Sequence, residues 1–116
     1  MFFASDNTSG AAPEIMAALA RANEGYQRSY GADALMDRVR DRVREVLEAP
    51  EAAVYLVAIG TAAKALALAL VTPPWGAVLT HEEAHIATDE CGAPEFFMGG
   101  AKIVTTPTID AKLTPK

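Results

Sequence analysis

Two places in the chain bring together residue types that do chemistry. Gly60-Thr61 lies between an apolar run and an Ala/Leu-rich stretch. A glycine between a buried strand and a helix lets backbone N–H groups approach an anion at the helix N-terminus, and a threonine hydroxyl adds a donor. The same pair also suits a tight turn with threonine as N-cap, and the dipeptide alone does not separate the two. Farther on, His81 and His85 stand four apart among Glu82, Glu83, Asp89 and Glu90. Two histidines on one helical face with a carboxylate can hold Zn²⁺, and Glu82 follows the first histidine as a zinc-protease pattern requires. His81 falls at a strand end, however, and no further ligand follows in an obvious setting, so no metal is expected. A histidine one strand–helix unit beyond a phosphate-gripping turn is placed to lie over the face of an aromatic cofactor whose phosphate that turn holds.

The elements that must position these residues are legible from periodicity. Pro13 opens a helix with Ile15, Met16, Leu19 and Ala22 on one stripe, ending near Gly25. Residues 26–31 have no period and read as loop. Asp33 caps a second helix with Leu35, Val39, Val43, Val46 and Leu47 on its apolar face. Its arginines, Arg38, Arg40, Arg42 and Arg44, interleave with Asp37, Asp41 and Glu45 and read mostly as a solvated face, each pair at spacing three adding about 0.2–0.5 kcal/mol. Pro50 closes that helix. Residues 53–59 form a continuous apolar run of strand length, of the kind buried on both faces of a parallel sheet. A helix over 62–71, a strand over 77–80, a helix from about Glu82 that Gly92 and Pro94 end, and a strand over 102–106 complete the series. Alternation of strand and helix from residue 53 onward predicts an α/β layer.

Composition narrows the function. The chain has 116 residues, 51% of them hydrophobic, enough for one core and hardly for two. A net charge of −5 and a pI near 4.9 lack the basic footprint of a nucleic-acid binder. Cys91 stands alone, which excludes an internal disulfide framework and makes the cytoplasm the default compartment. Met1-Phe2-Phe3 runs at once into Ser5-Asp6-Asn7, too short and unflanked for an export signal, and no run of about 18 apolar residues offers a membrane span.

Four pieces taken together resemble a known family, the low-specificity L-threonine aldolases, pyridoxal-phosphate lyases of the aspartate-aminotransferase-like fold (fold type I). They are Ser5-Asp6-Asn7 with Gly10 and Pro13, Tyr30-Gly31 before the helix of Leu35, Gly60-Thr61 with Ala63 and Leu66, and His85 with Glu90-Cys91-Gly92. The end, Ile109-Asp110-Ala111-Lys112-Leu113, is similar to an Asp-Gly-Lys-Leu turn of that family. The resemblance implies the N-terminal part of a large α/β domain with an incomplete sheet. Residues 1–52 would form a helical arm with interface helices, and residues 53–116 a partial βαβ cofactor-binding unit. It implies that Gly60 and Thr61 bind the phosphate of pyridoxal 5'-phosphate and that His85 stacks on its pyridine ring. Ser5 would contact the substrate carboxylate, and Glu90 would assist His85, holding an ordered water for proton transfer. Tyr30 would approach the neighbouring subunit's site in a homo-oligomer, and the substrate would be a small amino acid, L-threonine or L-allo-threonine, split to glycine and acetaldehyde.

Two residues depart from the family pattern: Ile59 stands where a small Thr or Ser is usual, and Lys64 where Asn is usual. Lys64 either adds a cation near the phosphate or disturbs the packing of its helix. Family members are about three times as long, and the lysine that carries the cofactor, the aspartate at the pyridine nitrogen and the arginine for the substrate carboxylate have no counterpart here. The expectation is therefore an N-terminal fragment, inactive alone. The alternatives are a non-catalytic α/β binding or assembly module, or another pyridoxal-phosphate enzyme of the same fold.

Overall fold

Proline at the first position of α1 (Pro13–Ala22) needs no N–H there, and the helix runs as its periodicity predicts. Its apolar stripe of Ile15, Met16 and Leu19 stays more than half exposed. In α2 (Ala34–Val46) the expected cap is present: the Met36 N–H donates to Asp33 Oδ1 at 2.9 Å. The expected ion pairs also form, Arg40 with Asp37 at 3.0 Å and Arg44 with Asp41 at 3.1 Å. Arg44 does more than face solvent, since its Nε donates to the Ala52 carbonyl at 2.9 Å and ties the chain leaving α2 back to the helix. That helix is ended by Glu48 rather than by Pro50. Glu48 sits at φ 52, with the Ala49 N–H bonding the Arg44 carbonyl at 2.9 Å and the Glu48 N–H bonding the Glu45 carbonyl at 3.1 Å. These two bonds satisfy carbonyls that a helix end otherwise leaves open.

This computed structural model describes Phe3 and residues 8–114, and the chain divides into two units, Met1–Val54 and Tyr55–Lys116. The second carries α3 (Gly60–Val71), β1 (Ala77–His81), α4 (His85–Thr88), α5 (Ala93–Phe97) and β2 (Lys102–Thr106). The two strands pair in parallel, from Ala77 opposite Lys102 to His81 opposite Thr106. Val78 and Ile103 face each other half-buried, while Leu79 and Val104 lie exposed one step on, so one face of the sheet is covered. Helix α3 packs on α5. The core of the unit is made of Ala65, Ala84, Met98, Ala101 and Pro94.

Two expectations are corrected. Residues 53–59 form no strand: β1 and β2 pair only with each other, and Tyr55, Leu56 and Ile59 are each more than 60% exposed. An apolar run becomes a strand only when a neighbouring backbone offers the ladder, and none of the described residues does. The helix expected from about Glu82 to Gly92 is shorter, with α4 covering only His85–Thr88, and a separate helix follows Gly92. Gly92, at φ 75, precedes α5, and Pro94 occupies its first turn, so this proline starts a helix instead of ending one. At the end of the chain Ile109 bridges Lys112 across Asp110 and Ala111, both left-handed, in the manner of a two-residue hairpin turn.

Replacing the cap, Asp33→Ala, is expected to cost the first unit about 1 kcal/mol, read as a loss of helical circular dichroism at lower urea than the parent chain. Asp33→Ser should retain most of it.

Candidate functional site

The first turn of α3 carries Gly60 and Thr61. Its N-cap is Ile59, extended at φ −145, and no side chain caps the helix. An apolar β-branched cap offers no oxygen to the N–H groups that every helix start leaves open. Thr61 is thus inside the helix and is not its cap. A Cβ placed on Gly60 would meet only the Lys64 Cε, at 3.9 Å, so the backbone here is bare and a ligand can approach it closely.

Beside this turn lies a buried carboxylate. Glu90, between α4 and α5, has no exposed side-chain surface. The Lys64 ammonium, from the second turn of α3, pairs with Glu90 Oε1, and His85 Nδ1 lies 2.7 Å from the same oxygen. Lys64 Nζ and His85 Nδ1 are themselves 3.1 Å apart. The Lys64 hydrogen bond first, and the Thr61 hydroxyl after it, hold the Glu90 carboxyl at about 2 instead of 4.5. Burial works against them, and His85 and the Lys64 charge add to them. The other oxygen, Oε2, is buried and accepts no hydrogen bond among the described residues. Asp89 is held apart from this group, its Oδ2 accepting from Thr88 Oγ1 at 2.7 Å and lying 3.9 Å from His85 Nε2.

Five of the residues singled out from sequence are described, and four of them, Gly60, Thr61, His85 and Glu90, fall in this one place. His85 opens α4 with its ring 65% exposed, the accessible face that stacking requires. His81 instead ends β1 with its Nδ1 buried and without a partner among the described residues, so the two histidines share no helical face. Tyr30 belongs to the first unit, fully exposed with its backbone at φ 59, an unusual conformation for a bulky residue. Ser5 lies outside the described residues. Sequence reasoning left Lys64 as either a cation near the phosphate or a packing fault, and missed its pairing with Glu90. Its partner stands twenty-six positions away, and the only sequence signal was a single cation in an otherwise apolar helix.

Comparison with known proteins places the chain in a family. The family profile described as Beta-eliminating lyase matches residues 3–116. A low specificity L-threonine aldolase of Pseudomonas aeruginosa is 47% identical over 113 residues, covering 97% of this chain and 32% of that protein. A protein of the same description from a Pseudomonas sp. is 45% identical over the same shares. Among solved structures, a threonine aldolase of Leishmania major superposes with a TM-score of 0.82 at 36% identity, over 94% of this chain and 31% of that one. The chain thus spans about a third of the length of the relatives it matches.

The lowered Glu90 value gives the cluster a pH signature. A carboxyl whose folded value is depressed stabilises fully above its ordinary 4.5, and that contribution is lost as pH falls through about 2. The Glu90 side-chain carboxyl ¹³C shift is therefore expected to titrate near 2, and Lys64→Met should move the midpoint upward. A midpoint at 4.5 in the parent chain would mean that the cluster does not form.

Proposed function

Because the chain belongs to the beta-eliminating lyase family, we propose that it forms the phosphate-gripping and ring-stacking part of a pyridoxal-phosphate-dependent aldolase acting on L-threonine or L-allo-threonine. The observation that carries the reading is the joining of an uncapped helix start with a glycine at its tip to an exposed histidine held by a buried carboxylate. The fold is α/β and similar to that of a solved threonine aldolase. The relatives' descriptions favour this branch over other pyridoxal-phosphate enzymes of the fold and over a non-catalytic module.

The residues present fit the cofactor. The open N–H groups of Gly60, Thr61 and Ala62 supply donors for a phosphate at the positive end of the α3 dipole. The Thr61 hydroxyl serves Glu90 here, so the backbone is the principal grip. His85 offers a flat ring on the solvent side, and its link to Glu90 keeps that ring from turning. Pyridoxal phosphate, when bound, supplies an electron sink for the charge left on the substrate's α-carbon. Glu90 Oε2, buried and accepting no hydrogen bond among the described residues, is the acceptor through which we place an ordered water for proton transfer. Ser5 and Tyr30 are assigned to the amino-acid substrate by resemblance alone, with Tyr30 contributed to a neighbouring copy in a homo-oligomer. Residues 1–52 then serve as the interface arm and 53–116 as the cofactor unit. No helix among the described residues is long and apolar enough to cross a membrane, and cytoplasmic residence is part of the same proposal.

Titrating the labelled chain with pyridoxal phosphate, and separately with inorganic phosphate, should move amide signals centred on residues 60–64. Shifts centred on the Arg38 to Arg44 face would sink the reading. Two or three charge-assisted bonds of about 1.5–3 kcal/mol each, less ordering costs, put the affinity near millimolar. Gly60→Ala should leave the fold intact, as the open space around it allows, yet weaken phosphate binding about tenfold, or 1.4 kcal/mol, because the added methyl occupies the cradle. His85→Ala should lose about 0.5–1.5 kcal/mol more cofactor binding than His85→Phe, which keeps an aromatic face.

A further inference from the structure

We propose that Lys64 is a specificity-determining residue of the α3 turn: its ammonium, held near the open end of the helix, makes the turn prefer a doubly charged phosphate over singly charged anions, a role that rests on the function proposed above. A helical side chain leans toward the N-terminus of its own helix. Lys64, four residues after Gly60, therefore runs back over the first turn, and its Cε stands 3.9 Å from where a Gly60 Cβ would lie. The N–H groups of that turn are the ones Ile59 leaves without a side-chain cap. With 38% of the Lys64 side chain exposed, a ligand in solvent can reach it. An ammonium has three donors, and Glu90 and His85 engage at most two, so at least one is left for an anion.

A cation at this end of a helix is out of place by itself, because the open N–H groups already carry positive partial charge. Glu90 holds it there through Oε1. The Thr61 hydroxyl and His85 each favour the ionised form of the same carboxyl, so Glu90 keeps its charge when Lys64 is removed. Without the ammonium, that carboxylate would stand uncompensated next to the turn and repel an anion. Both effects have the same sign, and each doubles when the charge on the ligand doubles, so Lys64 raises preference as well as affinity. The asparagine usual at this position in the family pattern supplies no such charge. Two other ionisable groups lie close by: His85, whose Nδ1 is 3.1 Å from Lys64 Nζ, and Asp89, whose Oδ2 is 3.9 Å from His85 Nε2. His85 gains a proton as pH falls, which favours anions at low pH and opposes the trend expected of the ligand.

The test is an amide-shift titration of the full chain with methyl phosphate at about pH 5 and about pH 8, on either side of the second ionisation of a phosphate monoester near 6. Sulfate, doubly charged at both, corrects for titration of the protein itself. Relative to sulfate, the parent chain is expected to bind methyl phosphate more tightly at the higher pH, with shifts centred on residues 60–64. Lys64→Met should weaken the doubly charged form about fivefold more than the singly charged one, which is what one further unit charge about 4 Å from an ammonium yields at the dielectric constant of water. Lys64→Arg, which keeps the charge, should keep the parent preference. Lys64→Asn, the residue usual in the family pattern, should behave as Lys64→Met and serves in its place if that variant does not fold. Equal losses for the two forms would make Lys64 a packing residue and overturn the inference. So would an unchanged preference in Lys64→Met or Lys64→Asn, or a parent chain without the preference. Shifts centred on residues 60–64 but indifferent to ligand charge overturn the inference and leave the functional reading standing, whereas shifts centred on the Arg38 to Arg44 face sink the reading and the inference with it.

Discussion

A carboxylate with no exposed surface has to be matched by a cation and by hydrogen-bond donors, and around Glu90 that requirement organises the second unit. Removing an ion from water costs several kcal/mol unless partners replace the lost hydration. The partners come from two helices: Thr61 and Lys64 from α3, and His85 from α4. Satisfying one buried group therefore sets where α3 stands against the loop and short helix that follow β1. The same contacts bring the first turn of α3 and the ring of His85 together, so the proposed phosphate cradle and the proposed stacking residue are products of one constraint.

The local rules are broken where a ligand would be held. A helix start with Ile59 as cap forgoes about 1 kcal/mol that a Ser, Thr, Asn or Asp would contribute. In α2 of the same chain the cap is Asp33 and its bond is made. Departures from good local chemistry concentrate at functional positions, because a donor satisfied internally is a donor withheld from a ligand. Ile59, where the family pattern has a small polar residue, extends this: a threonine or serine there could itself cap the turn, and the isoleucine leaves it entirely to the backbone.

Much of the fold was legible in the sequence, and what was not has a common cause. Helices α1, α2 and α3 follow from short-range signals, namely Pro13, Asp33 and the Ala/Leu run, and strands β1 and β2 from their apolar content and flanking breakers. Gly60, Thr61, His85 and Glu90 were recognisable as a set because each type suits its chemistry and their order matches a family. The failures depend on distant chain. Residues 53–59 have the composition of a strand, but pairing belongs to two segments and cannot be read from one. Pro94 is compatible with a helix start or stop, and the left-handed Gly92 before it decides which. Lys64 is the clearest case: its options were a phosphate cation or a packing fault, and its pairing with Glu90 was not legible.

The second unit therefore contains two kinds of order with different dependence on the rest of a protein. Parallel sheets are ordinarily covered on both faces, and two strands alone are marginal in water. Here Leu79 and Val104 are open on one face of the sheet, and Tyr55, Leu56, Leu70 and Val71 are open elsewhere. Relatives three times as long have more chain with which such surface can be covered. The Glu90 cluster needs no such cover, because every donor it uses lies within residues 61–85 and its one acceptor is at 90. Electrostatic matching within thirty residues can keep the cradle and the histidine in place even where the apolar surface around them stays wet.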